Sequence, residues 1–194
     1  MEAFSVWGGV PRYWELAHGH ASLSDALRDL VLDRQGVLHD EPAGLLLDEL
    51  RTAGQASSLL SLVGNGCHRL SEIASRLGKP AGSLTRPLAQ LIDLGYVRKE
   101  VPFGERERGG KRTLYKLHDP FVAFFFRFVQ PHRSLLELGR VDPVLAKVEG
   151  QLPGHVAGIW EALARRSVPF LPLGGTDWGA ASRWWSGNGP EFDV

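Results

Sequence analysis

The chain has 194 residues, a formal net charge of zero and 43% hydrophobic residues, which is enough to fold one or two small domains around an apolar core. This composition excludes a disordered chain, and a single cysteine, Cys67, excludes a disulfide framework and a multi-cysteine zinc site. No secretory signal is present at the N-terminus, and the longest apolar run, residues 121–129, is too short to cross a bilayer. We therefore expect a cytoplasmic protein with no membrane partner.

The net charge of zero hides three blocks of different charge. Residues 1–54 carry 4 Lys and Arg against 9 Asp and Glu, residues 55–118 carry 11 against 5, and residues 119–194 carry 7 against 8. The net charges are therefore −5, +6 and −1. Because such asymmetry is more informative than the total, we treat the three blocks as candidate domains. The middle block is a candidate polyanion-binding module.

The first block, residues 1–54, has the pattern of a small helical subdomain. A short helix is predicted over 12–17, and Ser24 is predicted to cap a second helix over 25–32. A third helix is predicted over 42–53. Its apolar stripe is formed by Leu45, Leu46, Leu47 and Leu50.

The middle block predicts three helices followed by a hairpin. The helices are predicted over 56–63, 70–77 and 83–94, and the strands over 96–101 and 113–117. In the third helix the apolar residues lie at i, i+4, i+7 and i+8 and share one face; they are Leu84, Leu88, Leu91 and Ile92. This order of elements predicts a winged helix–turn–helix.

The third helix of this block would be the recognition helix of a DNA-binding domain, which lies in the major groove. Its outward residues are predicted to be Ser83, Thr85, Arg86 and Gln90. Arg86 can read a guanine edge and Gln90 an adenine edge, while Ser83 or Thr85 can contact a phosphate. Double-stranded DNA is therefore the expected partner.

The loop of the hairpin is the predicted wing, and its basic residues are candidates for contact with the DNA backbone or the minor groove. They are Arg106, Arg108, Lys111 and Arg112. Two features weaken the interpretation: Glu105 and Glu107 dilute the charge of the wing, and Pro87 removes a backbone hydrogen bond unless it lies in the first turn of its helix. The alternative is a winged helix used for packing or for protein contact, because fold alone does not fix function.

The wing also has some features of a phosphate-binding loop. A Walker A motif needs Gly, four residues and then Gly-Lys-Ser/Thr at the start of a helix. Gly104 lies one residue too far from Gly110, Arg112 occupies the place of the hydroxyl residue, and a strand pattern follows. The sequence therefore predicts no nucleotide-binding loop, and we expect no cofactor and no metal site.

The third block begins with an aromatic segment. Asp119 is a predicted N-cap with Pro120 at the first helical position, followed by the apolar run Phe121–Val129. A helix that is apolar all round is buried, so this segment lies either between modules or against a partner that is absent.

The rest of the third block is less regular. An amphipathic helix is predicted over 151–166, with a stripe formed by Val156, Ile159, Trp160 and Leu163. Short strands are predicted over 170–173, 183–185 and 191–194. The last of these patterns runs up to Val194 without a tail, from which we expect the sequence to be truncated.

Three ordered motifs carry a family resemblance over nearly all of residues 7–194. They are WGGVPRYWEL, LSEIASRLG followed by SLTRPLAQLIDLGYVRKEVPFGE, and DPFVAFFFRFVQPHRSLLELG. Together they resemble the archaeal-type P-loop ATPases of bacteria and archaea, whose C-terminal domain is restriction-endonuclease-like and of unknown function. The resemblance implies that residues 1–54 are a helical lid, that 55–118 are the winged helix, and that the nuclease-like segment begins at about 119.

The sequence departs from this family at both ends. The ATPase core is missing, and the resemblance matches only Glu161 and Asp193 to the acids of the nuclease motif. The Glu-x-Lys strand of that motif would lie beyond Val194, so water attack on a phosphodiester is not expected. Glu161 and Asp193 are then vestigial candidates or ordinary surface carboxylates.

The predicted fold class is mainly α with a small β hairpin, an α+β fold that ends in an incomplete nuclease-like segment. The predicted function is a winged-helix DNA-binding protein, a truncated relative of the ATPase family, and not an enzyme. The alternative is an interaction scaffold that docks on an ATPase core or on a second copy, with Phe121–Val129 as its adhesive surface. A residual metal nuclease is the third hypothesis.

Overall fold

The structure is a computed structural model that describes residues 1–49, 53–105, 112–171, 175, 178–185 and 191–193. Its α-helices are α1 (Glu2–Trp7), α2 (Pro11–Ala17), α3 (Leu23–Leu27), α4 (Glu41–Glu49), α5 (Ala53–Gly64), α6 (Leu70–Leu77), α7 (Ala81–Asp93), α8 (Pro120–Phe124), α9 (Arg133–Glu137) and α10 (Val141–Ser167). Its strands are β1 (Val97–Glu100), β2 (Leu114–Leu117), β3 (Arg183–Trp185) and β4 (Glu191–Asp193). Two π-helical segments, Arg28–Leu32 and Phe125–Val129, extend α3 and α8. The fold is therefore mainly helical with small antiparallel pairs of strands, as the sequence predicts.

The helices predicted over 12–17 and 25–32 are present as α2 and as α3 with its π-helical extension, whereas α1 was not predicted and one cap is corrected. Ser22, not Ser24, is the N-cap of α3: its backbone is extended, and its Oγ accepts a hydrogen bond from the amide of Asp25 at 3.1 Å. Ser24 lies inside the helix and donates its hydroxyl proton to Glu149 of α10 at 2.7 Å. The side chain of Ser24 thus ties the first block to the third.

The apolar stripe of α4 is narrower than predicted. Leu46 is buried, but Leu47 is 70% exposed, because successive residues of an α-helix point about 100° apart. Leu45 is half-buried, and Leu50 lies outside the described residues.

The aromatic segment lies at the centre of the core. Every phenylalanine from Phe121 to Phe128 is at most 2% exposed. The ring of Phe121 packs on Tyr13 of α2 at a centroid distance of 4.7 Å, and Phe124 and Phe128 pack around His155 of α10. The adhesive-surface hypothesis for Phe121–Val129 is therefore wrong, because these rings are covered by α5 of the middle block as well as by helices of the first and third blocks.

The middle block has the order of a winged helix–turn–helix. α5, α6 and α7 are followed by the antiparallel pair β1 and β2, in which Val97 faces Leu117 and Glu100 faces Leu114. The backbone of His68, just before α6, also joins this pair, because its carbonyl accepts from the amide of Tyr115 at 2.8 Å. The predicted helices and strands of this block are confirmed to within a few residues.

The last long helix begins ten residues earlier than predicted. α10 runs through Pro153 over 27 residues, with Val144, Val148 and Leu152 buried against the core. Trp160 is 57% exposed and so does not belong to the buried stripe.

After α10, two of the predicted strands are confirmed. Arg183–Trp185 pairs with Glu191–Asp193, and Arg183 faces Asp193 in the register. The predicted strand over 170–173 is wrong at its described residues, where a 3₁₀ turn over Val168–Phe170 leaves Phe170 84% exposed. Residues 172 and 173 lie outside the described residues.

One apolar core runs through all three blocks. It includes Trp7 of α1, Leu59 of α5, Leu88 of α7, Phe126 of the second π-helical segment and Val148 of α10. Since α1 packs on both α8 and α10, the first and third blocks are in direct contact.

Candidate nucleic-acid interface

A short turn connects α6 to α7, and the two helices pack on each other. Gly78 ends α6 in the left-handed region, at φ 62°, a conformation that glycine adopts without strain. Lys79 and Pro80 then lead directly into α7. Leu84 and Leu88 anchor one face of α7 in the core, so the opposite face is turned to solvent.

The four predicted contact residues of α7 lie on this solvent face. Ser83, Thr85, Arg86 and Gln90 are all exposed. The hydroxyl of Ser83 donates to the carbonyl of Pro80 at 2.7 Å and keeps its lone pairs available as acceptors.

Pro87 lies in the second turn of α7, not in the first, and the helix continues through it to Asp93. A proline at this position has no amide to donate to the carbonyl of Ser83, four residues earlier. The helix is nevertheless held on both sides of Pro87, because Leu84, Leu88 and Leu91 are buried. The proline that weakened the sequence interpretation therefore does not break α7.

The wing is described only at its base. Arg106, Arg108 and Lys111 lie outside the described residues. Arg112 forms an ion pair with Glu105, so at this position a glutamate neutralises a wing cation, as the sequence predicts. Lys99 on β1 is exposed and adds a described positive charge to the same hairpin.

One face of the hairpin carries a largely buried ion cluster that the sequence interpretation missed. Glu100 accepts hydrogen bonds or ion pairs from Arg98 at 2.8 Å, from Lys116 at 3.1 Å and from Arg183 of β3 at 3.3 Å. Arg98 and Glu100 share a face because they lie two residues apart in a strand, and Lys116 faces Arg98 in the register. The alternation along the strands could have predicted that Arg98, Glu100 and Lys116 lie together. The contribution of Arg183 could not be predicted, because it comes from a distant part of the chain.

Burial and neighbouring positive charges shift the pKa values of the residues in this cluster. Burial lowers the pKa of Arg98, and Arg165, Arg166 and Arg183 lower it further. Burial likewise lowers the pKa of Lys116, although Glu100 opposes the shift. Burial acts to raise the pKa of Glu100, but the surrounding cations outweigh it and hold that pKa below its ordinary value.

The acids matched to the nuclease motif lie beside this cluster. Glu161 pairs with Arg165 one turn further along α10, and the Nε atom of Arg183 lies 3.6 Å from its carboxylate. The hydrogen bond from Arg165 is the main reason that the pKa of Glu161 is lowered. Asp193 faces Arg183 across the strand pair, and its side chain lies outside the described residues.

A metal ion at Glu161 would have to compete with these guanidinium groups. Among the residues that the structure describes, no three His, Cys, Asp or Glu side chains are grouped so as to hold a metal ion.

Comparisons with known proteins find two similarities along the chain. Residues 46–101 match the IclR helix-turn-helix domain, and residues 125–194 match DUF234, a family of archaeal and bacterial proteins of unknown function. The middle of the chain is therefore similar to an IclR-type helix–turn–helix, and its C-terminal part is similar to DUF234. Over 205 aligned residues it is 24% identical to the uncharacterized protein MJECL04 of Methanocaldococcus jannaschii.

That alignment covers all of this chain and 44% of the relative, so the chain spans less than half of the length of the protein it matches. No solved structure matches the chain. In the described part of the sequence, none of the helices has the length and hydropathy needed to span a membrane.

Proposed function

We propose that this chain binds double-stranded DNA through α7 and the wing. The observation that carries the proposal is the solvent face of α7, where Ser83, Thr85, Arg86 and Gln90 are exposed on a helix whose other face is anchored in the core. The similarity of residues 46–101 to the IclR helix-turn-helix domain supports the same interpretation.

The chemistry of this surface favours binding that is dominated by the phosphate backbone. Arg76, Lys79, Arg86 and Lys99 are exposed on the helix–turn–helix and its hairpin, and each cation that neutralises a phosphate releases counterions. Arg86 and Gln90 are the side chains suited to reading base edges. We therefore propose weak sequence preference and strong dependence of affinity on salt concentration.

A matched pair of arginine variants tests the proposal. Arg86 lies on the solvent face of α7, whereas Arg34 is an exposed arginine in the loop after the first π-helical segment. The affinity of each variant for a labelled duplex is measured by fluorescence anisotropy at low salt. We expect Arg86→Ala to weaken binding by about 1–3 kcal/mol if it reads a base, and Arg34→Ala to leave binding unchanged. Equal affinity of wild type and Arg86→Ala, or no binding by the wild type, contradicts the proposal.

We also propose that the chain is not an enzyme. The support is the environment of Glu161, whose Oε1 atom pairs with the guanidinium groups of Arg165 and Arg183, which a metal ion would have to displace from that oxygen. Incubation of plasmid DNA with Mg²⁺ or Mn²⁺, beside a Glu161→Ala variant, is expected to leave the DNA intact in both cases. Cleavage that depends on Glu161 would establish a residual metal nuclease.

Finally, we propose a relation to the archaeal-type P-loop ATPases, with this chain lacking their nucleotide-binding core. The support is the succession of a helix–turn–helix and a DUF234 segment, together with a relative more than half of whose length lies outside the match. The genomic DNA on both sides of the coding sequence tests this relation. We expect an upstream reading frame that encodes a Walker A motif. The proposal is contradicted if no such frame is present and the flanking genes are unrelated to ATPases.

A further inference from the structure

A strand of the third block holds the base of the wing. The amide of Phe103, which follows the end of β1, donates a hydrogen bond to the carbonyl of Arg183 in β3 at 2.8 Å. The amide of Glu105 donates to the carbonyl of Pro102 at 3.0 Å, so the chain turns around this contact. β3 therefore meets the chain at the point where the wing begins.

The side chain of Arg183 makes a second contact beside the first. Its Nη1 atom lies 3.3 Å from Oε2 of Glu100, the last residue of β1, and the two side chains are 13% and 15% exposed. The Nζ atom of Lys116 in β2 lies 3.1 Å from the same oxygen. One carboxylate thus joins both strands of the hairpin to β3. We call the two contacts of Arg183, with Phe103 and with Glu100, the wing clamp.

The wing clamp adds support that a short hairpin needs. β1 and β2 have four residues each, and an isolated pair of strands is marginally stable in water. The ion pair between Glu105 and Arg112 joins the two sides of the wing to each other, so it does not fix their direction relative to α7. β1 packs on α7, and the clamp holds the end of β1 from which the wing departs. The clamp therefore helps to set where the wing lies relative to α7.

We propose that Arg183 is a positioning residue for DNA binding, because it fixes the direction in which the wing extends from the hairpin beside α7. This role rests on the proposed binding of DNA through α7 and the wing. Arg183 does not have to contact DNA itself, since its side chain is largely buried and contacts Glu100 and Glu161. A loop that is ordered before binding loses less conformational entropy on binding, which increases affinity. The segment that is similar to DUF234 thus raises the affinity of the winged helix for DNA.

Two substitutions of Arg183 test the role of its side chain in duplex binding. Arg183→Gln removes the cation but leaves Glu100 with Arg98 and Lys116 as partners, whereas Arg183→Lys keeps a cation beside Glu100. The affinity for a labelled duplex is measured by fluorescence anisotropy at low salt. We expect about tenfold weaker binding by Arg183→Gln, the cost of ordering about one further residue on binding, and partial recovery in Arg183→Lys. Equal affinity of wild type and Arg183→Gln overturns the proposal.

A Glu100→Gln variant separates positioning from charge. Charge alone predicts tighter binding, because the variant removes a negative charge from a protein that binds phosphates. The wing clamp predicts weaker binding, since Arg183 loses the carboxylate that holds it. The matched control is Asp93→Asn, which removes an exposed carboxylate at the end of α7, outside both strands of the hairpin, and we expect its affinity to equal or slightly exceed that of the wild type. Tighter binding by Glu100→Gln than by the wild type contradicts the proposal.

Amide hydrogen exchange tests the wing clamp without DNA. In the wild type we expect the amide of Phe103 to exchange slowly, because it is hydrogen-bonded to the carbonyl of Arg183. Exchange at Leu88, which is buried in α7, reports global unfolding. In Arg183→Gln we expect exchange to accelerate about tenfold more at Phe103 than at Leu88. Fast exchange at Phe103 in the wild type, or equal rates at Phe103 in wild type and Arg183→Gln, contradicts the clamp.

The Arg86→Ala variant distinguishes the role of Arg183 from the proposed function itself. Absence of duplex binding by the wild type contradicts the proposed function and the role of Arg183 with it. Weaker binding by Arg86→Ala together with unchanged binding by Arg183→Gln contradicts the role of Arg183 alone. Titration above the dissociation constant gives the active fraction of each variant, so that partial unfolding is not counted as weaker binding.

Discussion

At the scale of single residues, glycine positions report how tightly the blocks are joined. A Cβ atom on Gly64, at the end of α5, would lie 2.9 Å from the Cβ atom of Phe126 and 3.2 Å from Leu117. A Cβ atom on Gly150, inside α10, would meet nothing within 4 Å. Substitution of Gly64 therefore tests close packing between elements, whereas substitution of Gly150 tests helix propensity alone.

We predict that Gly64→Ala destabilises the protein by about 1–3 kcal/mol, because the winged helix and the aromatic segment must move apart. Gly150→Ala is predicted to stabilise it by about 0.5–1 kcal/mol, since alanine favours a helix interior. Urea unfolding measures both. A neutral Gly64→Ala would show that α5 does not contact Phe126 closely.

His155 makes stability depend on pH. Its ring lies among aromatic side chains and is 5% exposed. Its Nε2 atom donates a hydrogen bond to the carbonyl of Ser5 at 2.8 Å. Burial lowers the pKa of His155, although the hydrogen bond to Ser5 opposes the shift and Arg127 adds to it. Burial also lowers the pKa values of His68 and His118.

We predict that the free energy of unfolding falls as pH drops below about 6.5, the ordinary pKa of histidine in an unfolded chain. In that range the unfolded state binds a proton that the folded state does not, so acid favours unfolding. His155→Gln keeps a donor for the carbonyl of Ser5 and is expected to flatten the dependence, leaving the part from His68 and His118. A variant whose pH dependence equals that of the wild type would contradict a buried neutral His155.

At the scale of elements, the junction between the hairpin and α8 depends on one capping carboxylate. Asp119 accepts a hydrogen bond from the amide of Val122 at 2.9 Å, and Pro120 occupies the first helical position. The cap sets the direction in which Phe121 and the following rings enter the core.

We predict that Asp119→Ala costs about 1 kcal/mol, whereas Asp119→Asn, which retains a capping oxygen, costs much less. Thermal or urea unfolding of the two variants checks the difference. Equal losses would indicate that the charge of Asp119, and not its hydrogen bond, holds the helix start.

The elements also show what local patterns predict and what they miss. α6, α7, β1 and β2 could be predicted because apolar spacing, glycine stops and strand alternation all agree within one short segment. The exposed side of α7, with Arg86 and Gln90, follows from the same pattern. Trp160 and Leu47 were wrongly predicted to be buried. The spacing of apolar residues along a helix shows that they share a face, but it does not show which part of that face packs against another element.

The ion cluster around Glu100 could not be predicted, since Arg183 reaches it from 83 residues away. The cap at Ser22 was missed for a simpler reason: two serines, Ser22 and Ser24, both precede the apolar residues of α3, and backbone conformation decides between them. The π-helical segments have no sequence signal that periodicity would detect.

At the scale of the whole molecule, the continuous core joins segments that the charge blocks separate. Trp7 and Val31 of the acidic block are buried in the same core as Val148 of α10. Each of the first and third blocks therefore buries part of the apolar surface of the other.

We predict that thermal unfolding is a single transition, with coincident curves by circular dichroism and tryptophan fluorescence. Limited proteolysis is accordingly expected not to release residues 1–54 as a stable fragment. Two separate transitions would show that the acidic block folds independently of α8 and α10.

The most direct test of the DNA-binding account is the affinity of the full chain for duplex DNA over a series of salt concentrations. We predict that the logarithm of the association constant falls linearly with the logarithm of salt concentration, and that Arg86→Ala makes the slope shallower by about one phosphate contact. Absence of binding at low salt, or an affinity that does not change with salt, would contradict it.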